Sequence, residues 1–454
     1  MEFKNYVING VEVKHREREE AVLMPTQFNE REEYFRGAWV TSLCDDFKPV
    51  PDKEQMKANL LNVLSYFEKM NLNAIIFHVR TNNNAFYKTK YAPIDPRYGT
   101  YDSFDEFDYL KWFIEECHNR GIEFHAWLNP YRIKGAGFPK EYKEADIAKL
   151  YSEYPLNPAK DASNILLNDA TGAILNPCKE VVQKHIIDVC LELMENYNID
   201  AIHFDDYFYA KMTEANEVLV EDDQKDYVEY IKNNPNCGYK VDCAKDKKDW
   251  RRANVDKFIY DLSCAMRKFN KENNRSVQLG ISPTGIYMNG DGEVKYDEFG
   301  TAITSGSNTK GQEHYESYLY CDSKKWVDNE WIDYIIPQSY WGFTQPVAGF
   351  ADVVDWWAKV VQNKKVNLYC GMGIYMTFRV QGAYSWTEYV YEASDEVLYC
   401  SANENIKGTC VFSFKSLVRC VDDENVLPYK ATEKIRNEYW TKKVKTPKTM
   451  ANGN

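Results

Sequence analysis

No stretch of the 454 residues approaches 18 consecutive apolar positions, and Met1 to Glu20 contain no apolar h-region. As given, the chain reads as carrying neither a membrane span nor a secretory leader. The compartment that follows is cytoplasmic, or extracytoplasmic if a leader has been removed. An excess of basic residues is also missing: formal net charge is -13, which argues against sequence-independent nucleic-acid binding. The 12 cysteines form no C-x-x-C pair, the nearest two being Cys237 and Cys243. That spacing argues against a cysteine-built zinc site. Thiols within strand and helix patterns (Cys190, Cys264, Cys370, Cys410) read as small buried hydrophobes in a reducing compartment. No G-x-G-x-x-G follows a strand and no P-loop occurs, so neither nucleotide signature is available. Gly-x-Ser-x-Gly is absent, which weakens serine-nucleophile chemistry. There is no tandem repeat at solenoid periods.

What is present is a rhythm. Hydrophobic residues make up 44% of the chain, enough for a large core, and aromatics 15%, with 34 Tyr and 11 Trp. That aromatic content suits sugar platforms, and it equally suits a large core with surface tyrosines. Short apolar strands alternate with amphipathic helices. Strands are expected at 35–40, 74–80, 123–131, 198–209, 277–282, 333–340, 367–375 and 406–414. Helices are expected at 52–70, 104–120 (closed by Gly121), 177–197 and 250–270, with a small hairpin around 169–172. In the first helix Leu60, Leu61, Leu64 and Phe67 should share a face. Eight such units predict an α/β chain folded as a (β/α)8 TIM barrel with long βα-loop insertions, against a doubly wound sheet. Residues 1–33 read as an N-terminal arm, 34–420 as the barrel, 210–248 as an insertion or lid after strand four, and 421–454 as a basic, partly frayed tail.

The fourth strand carries the chemistry. Ile202 and Phe204 alternate with His203, Asp205 and Tyr207, so one side is apolar and the other holds an imidazole, a carboxylate and a phenol, followed by Asp206. Burying that set without a use costs several kcal/mol. Barrel function gathers at the carboxyl ends of the strands. There the chain offers Asp45 and Asp46; His78 and Arg80; Trp127, Asn129, Tyr131 and Arg132; His203, Asp205, Asp206 and Tyr207. Later strands add Ser282 and Thr284, Gln338, Tyr340 and Trp341, Tyr375, and Ser413. Carboxylates beside an aromatic wall suit glycosidic-bond cleavage, one acid protonating the leaving oxygen while the other attacks or activates water. Asp205 is the principal catalytic candidate; Asp206 is its partner or a loop-capping residue. His78, Arg80, Trp127, Asn129, Tyr131, Arg132, His203, Tyr207, Ser282, Gln338, Tyr340 and Trp341 are candidates for holding sugar hydroxyls or stacking on ring faces. His78, His125 and His203 share inward parity. They could form a metal trio, but the absence of His-x-His on strand one favours a hydrogen-bonded inner layer.

Several segments recur together in a recognisable order: Phe35-Arg36-Gly37-Ala38-Trp39-Val40, His78-Val79-Arg80 with Ala85-Phe86-Tyr87, and His125-Ala126-Trp127-Leu128-Asn129-Pro130-Tyr131-Arg132. Phe204-Asp205-Asp206-Tyr207, Trp250-Arg251-Arg252-Ala253-Asn254-Val255, Gly280-Ile281-Ser282-Pro283-Thr284-Gly285 and the run Trp331 to Trp341 follow them. This set resembles the glycosyl-hydrolase-10-like family of bacterial proteins (the former domain of unknown function 187), over residues 34 to 420. The resemblance implies a (β/α)8 barrel and a glycoside hydrolase. It further implies a bacterial glycan as substrate, at least one member being a divisome-localised peptidoglycan glycosidase acting on glycan strands stripped of stem peptides. No cofactor or metal is implied. The spacing Asp200-x-x-x-x-Asp205 is also similar to that of amylase-like and chitinase-like barrels. The acid of the chitinase pattern would fall on Tyr207, which argues against a chitinase-type mechanism. Asn84 stands where relatives carry an aspartate, which keeps open a barrel that binds glycan without cleaving it. A metal-dependent hydrolase is the third alternative.

Overall fold

In the computed structural model, residues 1–134, 142–168, 172–206, 208–209, 221–316 and 319–452 are described. Eight parallel strands close on themselves: β1 (Phe35–Val40), β2 (Ala74–Arg80), β3 (Glu123–Leu128), β4 (Ala201–Phe204), β5 (Gln278–Ile281), β6 (Tyr334–Ile335), β7 (Asn367–Met372) and β8 (Ile406–Val411), with β8 pairing β1. A helix follows each strand: α1 (Lys53–Lys69), α2 (Tyr109–Asn119), α3 (Glu180–Asn196), α4 (Ala244–Asn273), α5 (Ser323–Asp328), α6 (Phe350–Val361), α7 (Glu392–Ala402) and α8 (Phe414–Asp422). The expected (β/α)8 barrel is the observed fold.

Local chemistry explains the elements. Asp52 caps α1 by accepting the Gln55 amide (2.8 Å), and Asp108 caps α2 through Lys111 (3.0 Å). Gly121, at φ +71°, turns the chain out of α2 as expected of a residue without Cβ. On α1 the buried stripe is Met56, Leu60, Val63, Leu64 and Phe67; Leu61, expected on it, is exposed, because the 3.6-residue period carries position 61 around to the solvent. The ladder of β6 is much shorter than the predicted 333–340, because Pro337 has no N–H to donate. The pairing continues as isolated contacts: Ile336 N–H donates to Ile281 O (2.8 Å) and Gln338 N–H to Pro283 O (2.9 Å).

Two bodies of apolar packing result. One lies between barrel and helices. The other fills the barrel and is built on Phe35, Trp39, Ile76, Trp127, Tyr334 and Tyr369. Tyr334 spans the interior, its hydroxyl meeting Nδ1 of His125 (2.7 Å) and Nδ1 of His203 (3.0 Å). It can do so because position 280 is glycine: a Cβ there would lie 1.8 Å from Tyr334 Cζ.

The first 33 residues form two short antiparallel pairs, Phe3–Asn5 with Leu23–Pro25 and Val7–Ile8 with Val11–Glu12, and Tyr6 donates to Asp395 of α7 (2.9 Å). Beyond residue 421, where fraying was expected, a helix spans Tyr429–Lys434, and Lys445 pairs with Glu33. Strands Ile165–Asn168 and Gly172–Leu175 form the expected hairpin, its turn lying outside the described residues. Within the insertion after β4, a helix runs from Glu221 to Asn233; residues 210–220 are outside the described set. The fourth helix begins at Ala244, earlier than expected. Cys190, Cys370 and Cys410 are buried, whereas Cys264, read as buried, is exposed on α4; all 12 thiols are free. No described helix is long and apolar enough to cross a membrane.

Candidate functional site

Each strand sends at least one side chain into a cavity of about 280 Å³ at the carboxyl end of the barrel. They are Trp39 from β1, His78 from β2, Trp127 from β3, Asp205 after β4, Ser282 after β5, Gln338 and Tyr340 after β6, Tyr375 after β7 and Phe412 after β8. Arg132, Asp206 and the loop residues Thr41, Leu43 and Cys44 complete the lining. A larger cleft, about 700 Å³, lies between the N-terminal strands and the C-terminal helices. It is remote from the strand ends, so the smaller cavity is the chemical candidate.

The cavity has an acidic floor and an aromatic wall. Asp205 accepts a hydrogen bond from the Trp127 indole (3.0 Å). Its orientation follows from the ladder, which pairs His203 with Trp127 and Phe204 with Leu128, so the next inward residue meets the indole edge. Asp206, partly accessible to solvent, is raised above the ordinary aspartate pKa by desolvation; its own backbone amide, the Gln338 side chain and Arg132 oppose that rise. Trp127 stacks flat on His78 (3.8 Å between centroids, 2° between planes). Tyr340 stacks on Phe412 (5.7 Å, 10°), and Trp39 meets Phe412 edge-on (6.2 Å). His78 is held neutral, first by burial and then by the charge of Arg132.

Other residues read from the sequence as site candidates lie elsewhere. The β2–β3 register shifts between His78 and Arg80, a bulge at Val79 that breaks the simple alternation. Arg80 therefore does not share the inward face of His78. It is buried against α3, bonding to Asn83 and to His185 Nε2 (3.3 Å). Asn129 is buried below the rim and accepts the Arg132 amide (3.1 Å), shaping the loop. Tyr131 is buried against Phe258. His203 lies in the layer beneath the cavity, bonded to Tyr334, to Ser282 Oγ (2.9 Å) and to Trp39 Nε1 (3.2 Å). Trp341 packs over Gly285 against the outer core. Tyr207 falls outside the described residues. Of the further rim candidates, Thr284 meets His314 Nδ1 (3.1 Å), Ser413 bonds Ser416 (3.1 Å), Asp45 is exposed and Asp46 tethers backbone amides. Asp200 sits at the opposite end of β4, accepting the Phe124 amide (2.7 Å). Asn84 donates to Asp95 (3.2 Å) and is no part of the cavity lining, so its amide takes no carboxylate from the site.

Two of the three inward histidines, His125 and His203, form a hydrogen-bonded layer beneath the cavity, while His78 lines the cavity itself. His125 bridges Tyr334 and Glu123 (3.0 Å to the carboxylate), and His203 is engaged at both nitrogens. Among the described residues, no three His, Cys, Asp or Glu side chains are grouped to hold a metal. Trp39 and Phe412 line the cavity but were not among the sequence candidates. For Trp39 the signal was available, since it shares the parity of Phe35 and Gly37 on β1. Phe412 follows the last ladder residue, where alternation no longer tells which way a side chain turns.

Fold and cavity together define a (β/α)8 barrel of the glycosidase type, with carboxylates and aromatics gathered at the carboxyl ends of its strands. The family profile described as Glycosyl hydrolase-like 10 matches residues 34–385, and the chain belongs to that family. It is 30% identical over 390 residues to "Glycosyl hydrolase YngK" of Bacillus subtilis, an alignment covering 84% of this chain and 68% of that protein. To "Glycosyl hydrolase DigH" of Escherichia coli K12 it is 26% identical over 363 residues, covering 77% and 75%. Among solved structures, the glycoside hydrolase domain of PgaB (BpsB) from Bordetella bronchiseptica superposes with a TM-score of 0.52 at 10% identity, covering 90% of this chain and 99% of that one; this likeness concerns the fold.

Proposed function

We propose that this chain is a glycoside hydrolase acting on a bacterial glycan, with the glycan strands of peptidoglycan as its substrate class. One observation carries the reading: Asp205 and Asp206 line one aromatic-walled cavity, one taking an indole N–H and the other raised by desolvation. A carboxyl whose protonated form is favoured by desolvation is what the leaving glycosidic oxygen needs, so Asp206 is assigned as the general acid. Asp205, oriented by Trp127, either attacks the anomeric carbon or activates water on the opposite face of the ring. Trp39, Tyr340, Tyr375 and Phe412 offer ring faces to the sugar, and Arg132, Ser282 and Gln338 offer polar contacts. Membership of a family with bacterial relatives supports the bacterial glycan, and the motif resemblance supports the cell-wall strand.

The test is incubation with peptide-free peptidoglycan strands and a panel of other oligosaccharides, with products read by mass spectrometry. Asp205→Asn and Asp206→Asn are each expected to lower turnover on the order of 10²–10⁴-fold with an unchanged melting temperature. Parent-like turnover in Asp205→Asn would remove the mechanism. Binding without any product would convert the reading to a non-catalytic glycan binder.

A further inference from the structure

Next to the two carboxylates, a threonine that sequence reasoning passed over occupies a telling place. Thr41, just past β1, donates its backbone N–H to Asp46 (2.8 Å), and its hydroxyl oxygen accepts the Leu43 amide (3.1 Å). Asp46 also accepts the Lys415 amide (2.7 Å), so it ties the loop after β1 to the first turn of α8 and holds Thr41 still. The Thr41 hydroxyl lies 2.9 Å from Nδ1 of His78. With one lone pair already engaged, the hydroxyl proton needs an acceptor, and Nδ1 is the one within hydrogen-bond distance among the described residues.

That assignment has a consequence at the far side of the ring. If Nδ1 accepts, the neutral imidazole carries its proton on Nε2. His78 Nε2 is buried, has no hydrogen-bond partner, and belongs to a side chain that is 3% exposed and lines the cavity. The alternative tautomer leaves two groups unsatisfied, the threonine proton and the Nε2 lone pair. The same ring is stacked flat on Trp127, whose indole holds Asp205.

We infer that Thr41 is a positioning residue: it sets His78 as the Nε2–H tautomer, so that a neutral imidazole presents a hydrogen-bond donor to a substrate oxygen beside Asp205 and Asp206. The substrate half of this inference rests on the glycosidase reading; the tautomer half does not. On a ring that lines the cavity, such a donor suits a sugar hydroxyl or an acetamido oxygen as acceptor.

The experiment uses the full chain with 15N-labelled histidine, the His78 signals being assigned by loss in His78→Gln. The parent protein and Thr41→Ser are expected to show the Nε2–H tautomer at His78, and Thr41→Val a shift toward Nδ1–H. On any glycan the parent cleaves, Thr41→Ser is expected to keep parent-like kcat/KM, while Thr41→Val loses about tenfold. An Nδ1–H signal in the parent, or a Thr41→Val protein with unchanged tautomer and unchanged kinetics, would overturn the assignment. If no glycan is cleaved, the glycosidase reading fails instead, and the tautomer measurement still decides the role of Thr41.

Discussion

At the scale of single residues, the adjacent pair Asp205 and Asp206 is a small puzzle, since neighbours in a strand face opposite ways. The ladder ends at Phe204, and beyond it the chain is free to turn both acids into one cavity. Their environments then differ: one meets an indole donor, while desolvation outweighs the favourable contacts of the other. This sets the expected pH dependence. A general acid works only while protonated, so kcat/KM should fall as pH rises through the raised pKa of Asp206. A profile that instead climbs through that range would show that Asp206 acts in its ionised form. The bulge at Val79 teaches the opposite lesson. One extra residue in β2 was enough to send Arg80 away from a cavity that simple parity assigned it to.

At the scale of elements, the helix Glu221–Asn233 flanks the segment that leaves β4, and it is fastened by a buried ion cluster. Arg251 of α4 grips Asp223 with two bonds of 2.7 Å each, and Lys247 reaches the same carboxylate at 2.8 Å. Removing one cation leaves a buried charge under-compensated, which typically costs about 3–5 kcal/mol. Arg251→Met is therefore expected to loosen this helix, with faster hydrogen exchange and earlier proteolysis within 221–243, while the barrel strands keep their protection. Unchanged exchange in that segment would mean that apolar packing alone anchors it. The barrel strands were the most legible elements. For β1 and β2 the apolar runs matched the ladders residue for residue, because both are buried along their whole length and punctuated by polar loops. For β4 and β6 the runs overshot. For β4 the inward–outward alternation ran on through Asp205 past Phe204, the last ladder residue, and for β6 Pro337 ended a ladder whose residues went on being buried.

For the whole molecule, several carboxyls are buried or half-buried at a cost. Desolvation pushes Glu392 up to about 8 and Asp46, Asp256 and Asp355 up to about 6. Such groups hold protons in the folded state that the unfolded chain releases from the ordinary carboxylate range upward. Unfolding then releases these protons, and the stability these groups contribute declines as pH rises from about 4.5 toward 8. The acidic net charge of -13 works in the same direction through self-repulsion. The histidines that burial holds neutral (His78, His185, His203 and His314) pull the other way below about pH 6.5, so the measurement is a difference between variants: between pH 6.5 and pH 8, Glu392→Gln is expected to show a smaller fall, or a larger rise, in melting temperature than the parent, and an identical change in both would contradict the burial argument. The alternation of apolar strand and amphipathic helix, read eight times along the chain, determined the closed barrel and the end at which chemistry gathers, because burial on both faces of a parallel strand leaves its mark on every residue. Which side chains meet in the cavity was decided only in three dimensions: a bulge, a proline and the last turn of each strand redirect single residues without altering the local pattern. Contacts such as Thr41 to His78, 37 positions apart, exist only once the barrel has closed.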